Sequence, residues 1–342
     1  MTTKRSSHHV DDGSAAQESW ALAEQFAGRI GEFPSLFTAA VRAVRSAPAI
    51  LHTDDAEKIQ RFAIEAVDFP VRVSPTLKAA LYHLGLDVGL EGIDDLSALT
   101  YHRLLQLYKP DQLIAVIALT FLHRTLRKFC DDEEWDRLAA KLRVHLQVGH
   151  LVGERIEMVG PGNGMFMAGL RCLAQIPFAL SDLAGFKDVR RAAERKKLLF
   201  DASGEEMRWH CSHLQIAAGW ASEWGYGIGA RLAFGMLHGF IAPPKAPTNN
   251  TEIEMQNWKL ALSCIEALHA RGAAPDALAK RERAQLGAGN AAELERRALT
   301  VVAEGRGFKW IELGPKDLPD DVRTALGIRP ESVKKPGDED GF

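Results

Sequence analysis

The chain has 342 residues, 46% of them hydrophobic and 25% charged, with a formal net charge of −3. That length buries a substantial core without covalent staples, and the charge balance gives no global attraction to nucleic acid. The cysteines Cys130, Cys172, Cys211 and Cys264 are dispersed with no C-x-x-C pair, which argues against a zinc knuckle or a disulfide framework and fits a reducing cytoplasm.

The opening "MTTKRSSHHVDDGSAAQ" lacks periodicity and any apolar stretch of the secretory type, which predicts a disordered arm over 1–18. "DDAEKIQRFAIEAV" and "DDLSALTYHRLLQLY" open on paired aspartates, favourable at the positive end of a helix. "SPTLKAALYHLG" predicts a helix with Ser74 as N-cap, Pro75 in the first turn and Gly85 past its end. "PDQLIAVIALTFLHRTLRKF" is apolar nearly all round, the pattern of a central buried helix.

"DDEEWDRLAAKLRVHLQVGHLVGERIEM" follows as a long amphipathic helix. "GPGNG" (160–164) has neither a preceding strand nor a following Lys-Ser/Thr, so it reads as a helix-to-helix turn rather than a phosphate loop. "MFMAGLRCLAQIPFAL" (165–180), "EEMRWHCSHLQIAAGWASEW", "IGARLAFGMLHGF", "TEIEMQNWKLALSCIEALHARG" and "AAELERRALTVVAEG" all carry helical period. "PPKAPTNN" (243–250) is an interior loop, and "GFKWIEL" is the sole candidate strand. From 314 onward the chain is rich in Pro, Gly and charge, which predicts a flexible tail over 314–342 holding one short helix near Asp321–Leu326. No apolar run approaches the ~18 residues that cross a bilayer, so no membrane span is expected. The class is all-α.

Four segments in order, "KLRVHLQVGHLVGERI", "FMAGLRCLAQ", "CSHLQIAAGWASEWGYG" and "RLAFGMLHGF", resemble the helices of the HD superfamily, with the nearest likeness to its HDOD branch. The resemblance covers about 135–242 and is carried most specifically by "HLQIAAGWASEWG". It implies an HD-like helical bundle with an N-terminal helical subdomain: a helical region over 19–134, then the HD-like region over 135–313. His145 falls on the first His of the family pattern, Cys172 and Leu173 on its adjacent His-Asp doublet, His213 on a later His, and His238 near a distal His pair. In a metal-dependent member the doublet would hold the cation that activates water. Leucine cannot ligate, and a thiol is a poor substitute in an N/O site.

The expectation is therefore a remnant site with no metal, no cofactor and no catalytic residue. Cys172 and Leu173 are expected in the core, with Arg171 at the helix surface or paired to an acid. His145 and His213 are expected as hydrogen-bonded core histidines rather than ligands. The HDOD resemblance implies a signalling or regulatory module acting through protein partners, with a small ligand as a candidate input. A phosphohydrolase with a rebuilt site is the alternative. A second alternative is a nucleic-acid-binding regulator, using Arg190, Arg191, Arg195, Lys196 and Lys197 on phosphate or on a partner. Such a basic run is more often a solvated helix face.

Overall fold

The computed structural model describes residues 12–95, 99–156, 158–239, 248–271 and 277–329. Helix α1 (Asp12–Ala27) leads to α2 (Ser35–Leu51), α3 (Ala56–Val73), α4 (Pro75–Val88), α5 (Tyr101–Gln106) and α6 (Pro110–Arg127). Next come α7 (Asp132–Arg155), α8 (Gly160–Leu173), α9 (Ile176–Ser181), α10 (Leu183–Arg195), α11 (Ala202–Trp209), α12 (His213–Glu223) and α13 (Gly227–His238). The last are α14 (Asn250–Arg271), α15 (Lys280–Leu286), α16 (Ala288–Glu304) and α17 (Asp320–Ala325). The protein is all-α, with no strand among the described residues.

Side-chain caps set several helix starts where the sequence places them. Asp55 accepts the Glu57 and Lys58 N–H groups at 3.0 and 3.3 Å, Ser74 accepts that of Leu77 at 3.2 Å, and Asp131 that of Glu134 at 2.8 Å. Two boundaries differ from expectation. Helix α4 runs through Gly85 and ends at Gly89, whose φ of 67° is the left-handed cap. Gly85 instead lets Ile93 and the Tyr108 hydroxyl pack directly on the helix backbone. Helix α5 starts after Thr100, which caps the Arg103 N–H at 3.1 Å, and not at the paired aspartates before it.

Helix α8 is the axis of the bundle. It is buried without a break from Pro161 to Leu173 and packs against α6 and α7. A Cβ on Gly149 of α7 would overlap the Gly164 carbonyl of α8, and one on Gly164 would overlap that of Gly149. Glycine at both positions lets the two backbones touch. "GPGNG" is the first turn of this helix rather than a turn between helices. Its Gly162 N–H donates to the Asp111 carboxylate of α6 at 2.6 Å, so an internal carboxylate holds the place an anion takes at a helix N-terminus. The helix read over 165–180 is broken between α8 and α9, with Pro177 in the first turn of α9. Taken together, Gly160–Ser181 is long and apolar enough to cross a membrane, with a mean hydropathy of 1.2. This corrects the expectation that no such run exists. Its window is 78% buried inside the bundle, as befits a core helix.

The buried core is continuous from Ala23 to Ile328. Helix α1 begins inside the expected arm because Ala23 and Ala27 dock on α12, where Trp220 Nε1 donates to the Ala27 carbonyl at 3.2 Å and Gln215 donates to Ser19 at 2.8 Å. Residues 1–11 lie outside the described residues. The expectation of a flexible segment from 314 is corrected as far as 329. Leu318, Val322, Leu326 and Ile328 are buried, and Lys78 Nζ donates to the Leu326 carbonyl at 2.9 Å. The alternation of apolar and polar residues here serves docking that a sequence-local reading does not see. "GFKWIEL" is not a strand. Asp87 accepts the Lys309 and Trp310 N–H groups at 2.8 Å each, and Phe308 N–H donates to the Arg143 carbonyl of α7 at 3.1 Å. Most of the "PPKAPTNN" loop and the residues after 329 lie outside the described residues.

Candidate functional site

A buried polar cluster lies where α7, α8, α11, α12 and α14 converge. Helix α7 supplies Lys141 and His145 one turn apart on the same face. Helix α8 supplies Arg171 and Cys172, α11 Glu205, α14 Glu266 and His269, and the segment before α11 supplies Phe200. Helix α12 begins at this point. Ser212 N–H donates to Gln215 Oε1 at 2.8 Å, closing a capping box that leaves His213 as the first helical residue.

His213 is held on both ring nitrogens. Its backbone N–H donates to Glu205 Oε2 at 2.8 Å, and its Nδ1–H bonds the same carboxylate. With Nδ1 donating, Nε2 is the acceptor, and it takes a hydrogen from the Arg171 guanidinium. Arg171 donates again to Glu266 at 3.1 Å, and Gln175 donates to Glu205 Oε1 at 3.0 Å. His145 and His269 approach Nδ1 to Nδ1 at 2.6 Å and share one proton. The Phe200 ring lies against four of the cluster's side chains. Lys141 Nζ is 3.7 Å and the Arg171 guanidinium 4.4 Å from its centroid, with the His145 and His213 rings at 5.5 and 5.2 Å.

Burial governs the protonation states. It pushes the Cys172 thiol up to about 12, against the opposing charges of Lys141 and Arg171. Burial, aided by Arg171, pushes His213 down to about 4 although Glu205 pulls the other way, and burial brings His269 to about 4. Lys141 falls to about 8, again chiefly by burial. Glu205 lies below the usual carboxylate value because the pull of His213 and its hydrogen bonds outweighs desolvation.

Of the residues singled out from the sequence, His145 and His213 meet at Phe200, while Cys172 and Leu173 are fully buried. Arg171 is 4% exposed and paired to an acid, the second of the two places expected for it. The His238 side chain lies outside the described residues. The basic run is apart from this cluster, on α10 and just after it. Arg190 pairs with Glu134 and Glu194, Arg191 with Asp188, and Lys196 with Asp201 at 2.7 Å. Arg195 and Lys197 are exposed. Sequence reading missed Lys141, Phe200, Glu205, Glu266 and His269. The available signal was the repeated placement of an ionisable pair one turn apart on two long helices, Lys141 with His145 and Glu266 with His269.

The cation that the resemblance implies does not fit these residues. The His213 Nε2 lone pair is committed to a guanidinium, Leu173 offers no donor atom, and the Cys172 thiol is held protonated. A fixed positive charge stands where a cation would need negative or neutral ligands.

Neither a protein-family profile nor a curated protein matches the chain. Among solved structures, the chain is similar to one described as an HDOD domain protein with unknown function from Geobacter sulfurreducens. The two are 14% identical, the match covers 87% of this chain and 92% of that one, and the TM-score is 0.49.

Proposed function

We propose that this protein is a non-catalytic regulatory module of the HDOD type, working in the cytoplasm through contacts with protein partners. The observation that supports this reading is the Arg171 guanidinium bonded to both His213 and Glu266. It ties up the His213 imidazole lone pair that a metal-dependent hydrolase would use, and it places a covalently attached cation beside it. A hydrolytic site needs an activated water and an open coordination position. Here the same space holds a ring and a guanidinium. The full chain, incubated in turn with manganese, iron(II) and zinc, is expected to leave bis(p-nitrophenyl) phosphate unhydrolysed. Turnover that chelators abolish and that His213→Ala removes would overturn the reading.

A further inference from the structure

We propose that Phe200 is a built-in plug in a binding site for a phosphate-type oxyanion, lined by Lys141, His145 and Arg171. This deepens the regulatory reading by giving the module a ligand class. Three observations carry it. First, the hydrogen-bonding capacity around the ring is unspent among the described residues. Arg171 Nε and His145 Nε2 are buried without a partner, and the Lys141 ammonium makes one bond, to the Leu199 carbonyl. Buried donors of this kind are rarely left unmet unless a ligand meets them.

Second, the group that faces these donors imitates an anion. The face of an aromatic ring is the negative lobe of its quadrupole, and two cations lie over Phe200 at 3.7 and 4.4 Å. A tetrahedral oxyanion is smaller than the benzyl group, so it fits the space the ring would vacate, and it would replace this weak attraction by charge-assisted hydrogen bonds. His145 donates from Nε2 when His269 supplies the proton between their Nδ1 atoms. The nearby carboxylates are already engaged, Glu205 by His213 and Gln175, and Glu266 by Arg171.

Third, the plug sits on a short surface segment with a latch. Residues 196–198 are exposed, Leu199 is half-buried against the core, and Phe200 is the first fully inward residue of the segment. Lys197 has a φ of 55°, a conformation rare for a side chain of this kind. The Lys196–Asp201 pair at 2.7 Å, its lysine half exposed, closes the base of the segment.

A site open in only a fraction of molecules binds with its affinity lowered by that fraction. Inorganic phosphate titrated calorimetrically into the full chain is therefore expected to bind weakly. Phe200→Ala is expected to tighten binding about tenfold, and Lys196→Ala, which leaves the core intact, to shift it in the same direction. Adding Lys141→Gln to Phe200→Ala should remove the gain. In the unaltered chain, phosphate should speed amide exchange at 198–200. Ethyl phosphate run in parallel separates two sources: tighter binding of the ester assigns the end of a phosphomonoester, and equal or weaker binding assigns the free oxyanion. No binding by any variant, or binding indifferent to Phe200 and Lys141, overturns the proposal and leaves the non-catalytic reading standing. Chelator-sensitive turnover would do the reverse.

Discussion

Lys78 on α4 reaches a backbone carbonyl 248 positions away, donating to Leu326 at the end of α17. That ammonium is buried, and with Leu318, Val322 and Ile328 it fixes the segment after Gly314 to the body. A chain ending at Gly314 is expected to lose several kcal/mol of stability, because each buried aliphatic side chain contributes ~1.5–3 kcal/mol. Leu326→Ala alone should cost ~2–4 kcal/mol. Urea unfolding of both measures this, and an unchanged midpoint in the shortened chain would refute the docking.

Arg171 joins the buried His213 to the half-buried Glu266, so its removal leaves an imidazole nitrogen inside the bundle without its partner. Arg171→Met is expected to destabilise by ~1–3 kcal/mol, since water can still reach the Glu266 carboxylate. Arg171→Lys should recover little, since a single ammonium cannot present the planar fork that meets two acceptors at once. Thermal unfolding of the two variants should place both well below the parent.

Burial pushes His123 down to about 3, helped by the charges of Arg124 and Arg127, while an unfolded histidine titrates near 6.5. His213 and His269 lie at about 4. Between these values the unfolded chain binds more protons than the native one. The contribution is thus complete above pH ~6.5 and is lost as pH falls towards 4 and below, by at most ~1.4 kcal/mol per pH unit and histidine. His123 has no hydrogen-bond partner on either ring nitrogen among the described residues. His123→Leu should therefore flatten the decline of the urea midpoint between pH 7 and 5. An equally steep decline in that variant would remove His123 from the account.

Two glycine substitutions should move in opposite directions. Gly149→Ala drives a methyl group into the Gly164 carbonyl and is expected to destabilise by ~1–3 kcal/mol. Gly219→Ala, inside α12 with open space at its Cβ position, should stabilise by ~0.5–1 kcal/mol. Paired denaturation curves against the parent decide both.

The helical class and many helix starts were legible because caps and apolar periodicity act locally: Asp55, Ser74 and Asp131 do in the structure what their positions suggest. Gly85 misled because a glycine needed for close packing looks the same in sequence as one needed for a left-handed turn. The break between α11 and α12 was hidden for a related reason, since His210 takes a left-handed φ of 58° without being glycine. Within the cluster, the burial of Cys172 and Leu173 was readable from residue type, whereas for Arg171 the sequence left the helix surface and an acid partner both open. Phe200, Glu205 and His269 were not readable, because they reach the site from three separate segments and only tertiary packing brings them together.

The contact of α7 with α8 through Gly149 and Gly164 leaves no layer of side chains between the two backbones to act as a cushion. Close-packed interiors transmit displacement rather than absorb it. Lys141 and His145 on one helix and Arg171 on the other are therefore carried by a single stiff beam. A signal that starts at this cluster can travel by tilting that beam as a whole, or through the segments bearing Phe200, Glu205, His213 and His269, which meet the beam through side chains and not backbone to backbone.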